Sequence, residues 1–464
     1  MKSLHNYKPT GVHRMNSLPI KQAASEQSEI TFKNMPFDGK IGSNMHLIET
    51  EILQNETELY HLVDEWEDLA LSSGATVYMT PDWVLGWWKH FGKHPRRSLH
   101  VITLCYAGRL IAIAPCYTGY STIFGKKAET RMQILGSGGS PDEQFGFMDD
   151  YGISDFLDFI VAPDFTNEAA SIFAELLIAA TDDFDTISFH QVREDSFIMK
   201  YLYPALQRTQ LPIDIIHTDN CPYINLREYN SMDDFIKKAK SNARRRFRQT
   251  RRASMPGANF KITDIINLHE TEGATEKLIE LHQERWIDLG FPGVFYDARF
   301  TRFFKELVQS SLSKNRIWFK QASDMNGACA MRLMLKYNGR YYDYISGFDH
   351  NAPSAKFRPG FGILLNSVED ALSHDVETIE MLRGEEDYKY DFTDKTIKNM
   401  KLVISRPGSE SIKRKMVHIL AFAWKVIKSE KKVLHAHYKK NGLVRILPGY
   451  FKFRFNSVLS KLKK

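Results

Sequence analysis

Cysteine is scarce in this 464-residue sequence, and the spacing of the few that occur matches neither a zinc site nor a redox pair. The four residues are Cys105, Cys116, Cys221 and Cys329, and no CxxC motif is present. Chains with few, irregularly spaced cysteines are typical of reducing compartments. We therefore expect reduced thiols, no bound metal and a cytoplasmic location.

Long apolar runs are missing as well. Residues 1–45 are rich in polar side chains and contain no apolar segment that would act in a secretory signal peptide, which predicts a disordered leader. The apolar stretch 416–427 has twelve residues, too few to span a bilayer. No Gly-x-Ser-x-Gly motif occurs, so no serine nucleophile of that type is expected.

What the chain does contain is typical of a globular protein with large cores. Hydrophobic residues make up 43% of it and aromatic residues 12%, and its length favours two domains of ordinary size. The net charge of +6 is unevenly distributed, because 411–464 holds fifteen Lys and Arg but one acid. This basic tail suits an anionic membrane surface, although packing back onto the protein remains an equal alternative.

Helical and strand-like patterns alternate through two successive stretches. In 46–225, two helical patterns precede strand-like runs joined by Ala107-Gly108-Arg109, and a further helix lies at 167–180. In 226–410, a capping box at Ser231 opens a helix running to about residue 254, further helices follow, and Asn338-Gly339 marks a hairpin. We predict two α/β units, each with a mixed, mostly antiparallel sheet flanked by helices.

The segment 356–390 holds the features that predict chemistry. Two glycines stand just before an apolar helix face, where backbone N–H groups can approach a phosphate. We therefore assign binding of a phosphate-bearing donor to a short run, namely Arg358, Gly360, Phe361 and Gly362.

Ionisable residues crowd the end of the strand that follows this helix. Group transfer from an activated donor requires a base for the acceptor's proton and an acid for the leaving group. The candidate catalytic residues are Glu385, Asp387, Tyr388 and Lys389, with Tyr388 as the acid. Arg383 is assigned to binding an anionic part of a substrate. A solvated polar turn is the alternative interpretation.

Three further positions are candidates for substrate binding. Tyr344 and Asp349 lie along or just beyond the strand that precedes the glycines, although ordinary strand alternation explains them equally well. Arg245 belongs to the stretch 237–252, which has nine basic residues and no acid. Such a helix attracts an anion, for example a coenzyme phosphate, a phosphorylated lipid-linked sugar, RNA or a membrane surface. Acidic residues in 141–158 are candidates for lining an acceptor groove.

The run Pro359-Gly360, a helix, and then Leu382-Arg383-Gly384-Glu385-Glu386-Asp387-Tyr388-Lys389 resembles the CelD-like acetyltransferases of cellulose and exopolysaccharide biosynthesis. That group lies in the GNAT superfamily, near the FemAB-type transferases. The resemblance implies tandem GNAT-like units, the first of them degenerate, and acetyl-CoA or another acyl-CoA as co-substrate. Arg358 stands one residue closer to the glycines than in the usual GNAT pattern.

Together these features predict direct N- or O-acyl transfer, most simply of an acetyl group, to a sugar or polysaccharide precursor. The protein would be cytoplasmic or peripheral at the inner face of the membrane, and nucleic acid is not the expected partner. One alternative is a Fem-like transferase that takes its acyl group from aminoacyl-tRNA. Another is a non-catalytic scaffold for polysaccharide assembly at the membrane.

Overall fold

The computed structural model describes residues 47–123, 125–139, 152–289, 291–374 and 376–408. The predicted leader 1–45, the basic tail 411–464 and most of the acidic stretch 141–158 lie outside the described residues. The described residues belong to one compact unit. In the described part, no helix is long and apolar enough to cross a membrane.

Eleven α-helices are present in the described ranges. They are α1 (Glu56–His61), α2 (Val63–Ser72), α3 (Pro81–Trp87), α4 (Thr166–Ala180), α5 (Tyr203–Leu206), α6 (Met232–Lys238), α7 (Ser241–Ala253), α8 (Leu268–Asp288), α9 (Ala298–Ser313), α10 (Pro359–Ser373) and α11 (Lys389–Phe392).

Thirteen strands of the described chain form one sheet. They are β1 (Ile48–Leu53), β2 (Arg97–Tyr106), β3 (Arg109–Ile123), β4 (Lys126–Ile134), β5 (Ile160–Val161), β6 (Thr186–Arg193), β7 (Ile213–Asn225), β8 (Lys261–Asp264), β9 (Ile317–Asp324), β10 (Gly327–Tyr337), β11 (Arg340–Phe348), β12 (Thr378–Glu380) and β13 (Thr396–Ser405). Their order is β1-β2-β3-β4-β6-β13-β7-β12-β11-β10-β9-β8, and β5 pairs with β3.

The predicted fold class is confirmed, since this is a mixed, mostly antiparallel sheet flanked by helices. Only β4 with β6 and β11 with β12 are parallel among the described pairs. Each of these parallel pairs follows an antiparallel meander and has a helix in its connection, α4 in one case and α10 in the other. This recurrence agrees with the tandem-unit prediction, whose boundaries remain a prediction.

Both predicted hairpins form. Asn338 and Gly339 have φ values of 48° and 66°, and Ala107 and Gly108 have values of 50° and 73°. Two successive residues with positive φ match the twist of the flanking strands, which explains why Asn-Gly is so effective at this position.

Several elements differ from the sequence prediction. The basic helix expected from Ser231 to about residue 254 is two helices, because Ala239 is extended (ψ 153°) between α6 and α7. The stretch between residue 155 and α4 contains only a two-residue strand, Ile160–Val161. Strands β7 and β13 were not expected, yet β13 pairs with β6 and β7 and thereby joins the two predicted units.

A buried ion pair links strands on either side of that junction. Arg193 at the end of β6 donates to Glu380 in β12 at 3.1 Å and to Asp195 at 2.8 Å. The side chain of Glu380 is 2% exposed, and its second carboxylate oxygen has no hydrogen-bond partner among the described residues. The Arg193 guanidinium also lies over the ring of Phe156, 4.9 Å from its centroid.

Substitution Glu380→Ala is expected to lower the free energy of unfolding by about 3–5 kcal/mol, because Arg193 loses a buried partner. Glu377→Ala is the control, since Glu377 pairs with Arg227 at an exposed position and such pairs contribute about 0–1 kcal/mol. Urea unfolding of both variants measures the difference. Equal losses would show that the buried pair has no special role.

Candidate active site

Strands β11 and β12 pair over only three positions and then separate. The pairs are Arg340 with Thr378, Tyr341 with Ile379 and Tyr342 with Glu380. Beyond Tyr342, β11 continues to Phe348 without β12 at its side, while β12 ends at Glu380 and Met381 donates to the Pro222 carbonyl of β7 at 2.9 Å. We call the gap between β11 beyond Tyr342 and the segment 381–384 the wedge.

A bulge in β11 lies at the start of the wedge. Asp343 is opposite Met334 and Ile345 is opposite Leu333, which leaves Tyr344 without a cross-strand partner. Bulges bend a strand and change the direction of its side chains, and they are frequent beside active sites. Here the bulge places Asp343 and Tyr344 in different surroundings, one among arginines and the other among aromatic rings.

The N-terminus of α10 provides a site for an anion. Arg358 adopts a left-handed conformation (φ 59°, ψ 61°) and Pro359 begins the helix, with no side-chain cap. The first backbone bond at this end runs from the Gly362 N–H to the Arg358 carbonyl at 3.0 Å. In the described part of the chain, the N–H groups of Gly360 and Phe361 have no acceptor. Two free amides and the positive end of the helix dipole favour a phosphate.

Guanidinium groups surround this helix end. Arg246 of α7 forms an ion pair with Asp391 of α11. Arg358 is exposed and interacts electrostatically with the same carboxylate. Arg332 of β10 forms a buried ion pair with Asp343 and lies 3.5 Å from the Gly360 carbonyl oxygen. The α10 side of the wedge is therefore rich in positive charge.

The predicted donor-binding residues divide into two groups. Arg358 and Gly360 lie at the exposed end of α10, where the prediction places them. The ring of Phe361 packs against Phe247 and Phe392, with centroids 5.6 and 4.8 Å away, so only its backbone is available to a donor. Gly362 permits close packing instead, because a Cβ there would lie 2.8 Å from Cζ of Phe260, and its N–H is already used.

Lys389 holds the turn that follows β12. Its side chain is buried, and its ammonium donates to the carbonyls of Arg383 at 2.9 Å, Gly384 at 3.2 Å and Leu382 at 3.3 Å. A carboxylate oxygen of Glu386 lies 2.9 Å away. Because Lys389 is fully engaged in these contacts, the structure gives it a positioning role rather than the catalytic role suggested by sequence.

The Tyr388 hydroxyl lies on the α10 side of the wedge. It interacts with the guanidinium of Arg332, which is paired with Asp343. Burial, and to a lesser extent the carboxylate of Asp343, raises the pKa of Tyr388 to about 12. Tyr388 is therefore protonated at neutral pH and able to donate a proton, as its predicted role requires.

The remaining predicted residues are less central. Glu385 is exposed and accepts from Asn220 at 2.9 Å and from Tyr390 at 3.2 Å, and Asp387 is exposed beside it. Asp349 accepts the Asn351 N–H at 2.7 Å and so stabilises its own turn. Arg245 is exposed on α7 and makes no ion pair in the described part of the chain.

A cluster on the other side of the wedge brings together two predicted substrate-binding residues, Tyr344 and Arg383, and two residues that the sequence did not single out, Tyr78 and Asp155. We call these four residues the acceptor-side cluster. Arg383 donates to the Gly152 carbonyl at 2.8 Å, and its Nε lies 3.6 Å from Asp155. Sequence gave only a weak indication of Asp155, as one of several acids in 141–158. No sequence pattern pointed to Tyr78.

Comparison with known proteins agrees with this geometry. Residues 237–390, which contain α7, the wedge and α10, match the family described as "Acetyltransferase (GNAT) domain". The resemblance to the GNAT superfamily is therefore supported for this part of the chain, as a match to that domain. No curated protein matches the chain.

Several solved structures are similar to this chain at low sequence identity. A crystal structure of FemX matches with a TM-score of 0.50 and 10% identity over 79% of this chain and 100% of that one. A tandem GNAT protein from the clavulanic acid biosynthesis pathway matches with a TM-score of 0.37 and 13% identity over 77% and 98%. L-PGS from Bacillus licheniformis matches with a TM-score of 0.42 and 10% identity over 82% of this chain and 98% of that one. The match to FemX indicates a shared fold and nothing about activity, and nothing is inferred from the other two.

The two α10 glycines should respond differently to alanine. Gly362→Ala is expected to lower the free energy of unfolding by about 1–3 kcal/mol, because the added methyl overpacks against Phe260. Gly360→Ala is the control, since its Cβ would meet neighbours at 3.7 Å or more, and a change below about 1 kcal/mol is expected. Chemical denaturation of both variants measures their free energies of unfolding. Larger destabilisation at Gly360 would contradict the packing role of Gly362.

Proposed function

We propose that the protein is an acyl-CoA-dependent N- or O-acyltransferase, with acetyl-CoA as the simplest donor. The observation that carries this proposal is the wedge with the uncapped N-terminus of α10 on one side. The free amides of Gly360 and Phe361, with Arg246 and Arg358 nearby, suit a pyrophosphate. A donor bound there would extend its thioester into the gap between β11 and β12.

The groups around the wedge match the needs of direct acyl transfer. Beyond Tyr342, the edge of β11 that faces the wedge has no strand partner in the described chain, so its backbone N–H groups are suited to stabilising an oxyanion. Tyr388 supplies the proton for the leaving thiolate. Cys329, a conceivable nucleophile, is buried and donates to the Ala322 carbonyl at 3.3 Å, which favours attack by the acceptor itself.

For the acceptor, we propose the amine or hydroxyl of a sugar or polysaccharide precursor, on the strength of the resemblance to CelD-like enzymes. The same resemblance supports a cytoplasmic site of action. Attachment to the inner face of the membrane through the tail 411–464 is part of the proposal, and that segment lies outside the described residues.

A second candidate donor is aminoacyl-tRNA. The observation that favours it is the exposed face of α7, where Arg245, Arg248 and Arg252 make no ion pair among the described residues. Guanidinium groups spaced along one helix face can follow a phosphate backbone, and such binding weakens steeply as salt rises.

Titration calorimetry with acetyl-CoA separates the two donors. We expect micromolar affinity that falls about tenfold in Arg358→Ala, which removes a charge beside the α10 amides. Arg248→Ala is the control and should leave coenzyme affinity unchanged. Absence of coenzyme binding, together with salt-sensitive RNA retention that Arg248→Ala weakens, would replace the first proposal with the second.

Removing the Tyr388 hydroxyl tests the chemistry. Tyr388→Phe is expected to lower the rate of acyl transfer by about 10²–10⁴-fold, the usual contribution of a general acid, with coenzyme affinity retained. Transfer from labelled acetyl-CoA into a cell extract measures the rate. Tyr390→Phe, which removes only a contact with Glu385, is the control. A scaffold without catalytic activity would show no transfer in any variant.

A further inference from the structure

The acceptor-side cluster contains buried polar atoms that have no hydrogen-bond partner. Tyr78 is fully buried and Asp155 is 4% exposed. In the described part of the chain, the hydroxyl of Tyr78 and the Oδ1 oxygen of Asp155 have no hydrogen-bond partner, and Oδ1 lies 3.6 Å from Nε of Arg383. A buried polar group without a hydrogen bond costs about 1–3 kcal/mol. Both atoms are therefore able to form a hydrogen bond with a ligand.

The cluster faces the wedge from the side opposite α10. Tyr344 is the bulged residue of β11 and Arg383 follows β12, so they flank the gap where the strands separate. Burial first, and then the carboxylate of Asp155, raises the pKa of both Tyr78 and Tyr344. Asp155 is therefore within electrostatic reach of both hydroxyls. A donor and an acceptor would meet in the wedge from its two sides.

The charge near Asp155 favours a cationic acceptor. Asp219 of β7 interacts with Asp155 electrostatically and accepts from Gln191 at 3.0 Å, so a second carboxylate adds negative charge beside Asp155. Lys389 is nearby, but its ammonium is engaged by the carbonyls of 382–384 and by Glu386. The rings of Tyr78, Trp83 and Tyr344 contact one another edge to face or tilted, with centroids 4.7–6.4 Å apart. Aromatic faces beside a carboxylate suit an ammonium group.

We propose that Asp155 binds the amino group of the acceptor and receives its proton, in a pocket that Tyr78 and Tyr344 line. This assignment rests on the proposed acyl-CoA-dependent transfer. The ammonium passes one proton to the carboxylate, and the freed lone pair attacks the thioester carbonyl. A C–N bond forms and the C–S bond breaks, and the thiolate takes a proton from Tyr388, which regains one from solvent. The acylated nitrogen then loses its second proton to solvent, and Asp155 releases the first, so that one proton is set free per transfer.

The ionisation of Asp155 fixes the sign of the pH dependence. Burial raises the pKa of its carboxyl, and Arg383 counteracts part of that rise. Only the carboxylate accepts a proton, so the rate rises with pH through this elevated pKa and is lost below it. The charged and titratable groups that face Asp155 are Tyr78, Asp219, Cys221, Tyr344, Arg383 and Lys389.

The experiment compares amines with matched hydroxyl compounds as acceptors for acetyl-CoA. The pairs are glucosamine with glucose, ethanolamine with ethylene glycol, and lysine with 6-hydroxynorleucine. We measure release of the coenzyme thiol from pH 5 to 9 and, separately, the shift in Tm that each compound causes. At least one amine should bind and react where its hydroxyl counterpart does not.

Asp155→Asn is expected to lower the amine-dependent rate by about 10²–10⁴-fold, to remove the acidic limb of the pH profile and to leave coenzyme affinity unchanged. Tyr78→Phe keeps the aromatic ring and should weaken amine binding several-fold. It provides an independent test of the pocket if Asp155→Asn does not fold. Asp155→Glu should restore part of the rate.

Three results would overturn the assignment. They are failure of all three amines to bind or react, equal use of amines and hydroxyl compounds, and an unchanged acidic limb in Asp155→Asn. Failure of the donor proposal is distinguishable, because coenzyme binding would then be absent while an amine-induced shift in Tm that requires Asp155 would persist.

Discussion

The site depends on one buried ammonium group. Lys389 contacts three successive carbonyls just after β12, where Leu382 has a φ of 59° and Gly384 a φ of 109°. A leucine in this left-handed region is strained and persists only when surrounding contacts hold it. The ammonium holds this turn at the point where β11 and β12 cease to pair, which is where the wedge begins. Arg383 and Tyr388 are then directed to opposite sides.

Those opposite sides have different electrostatic character, and this difference organises the proposed reaction. The α10 side has free amides and guanidinium groups, which suit a phosphorylated donor. The other side has two carboxylates, one of them beside a guanidinium, and part of its wall comes from Tyr78 and Asp155, far earlier in the chain. The first stretch of the chain therefore completes a site whose donor-binding part belongs to the second.

Local patterns predicted much of this arrangement. The hairpin at Asn338-Gly339, the helix after Pro359-Gly360 and the polar turn at 383–390 follow from turn chemistry, periodicity and charge. Long-range pairing could not be foreseen. Strand β7 contains Pro222 together with Asp and Asn residues that disfavour strands, and it forms because β13 and β12 pair with it. The break at Ala239 had a local signal in Ser241 and Asn242, which are typical of helix starts.

The misassigned residues show where sequence reasoning ends. The sequence does not distinguish Gly362 from Gly360, but the structure places Phe260 beside Gly362. Lys389 sits in a charged run typical of a solvated turn, yet its side chain is buried among carbonyls. Asp155 could not be distinguished from its acidic neighbours, because its importance comes from the tyrosines and the arginine that approach it in the fold.

Strand β12 has three residues, and among the described strands it is the bridge between β11 and β7 in the sheet. By itself, so narrow a bridge would resist twisting far less than the long ladders on either side of it. The apolar core continues past it, however, since Tyr78 packs against Tyr342 and Trp83 against Phe303, with ring centroids 5.7 and 5.2 Å apart. The distance between the two reactants would then be set by this aromatic packing, which stiffens the molecule where its sheet is thinnest.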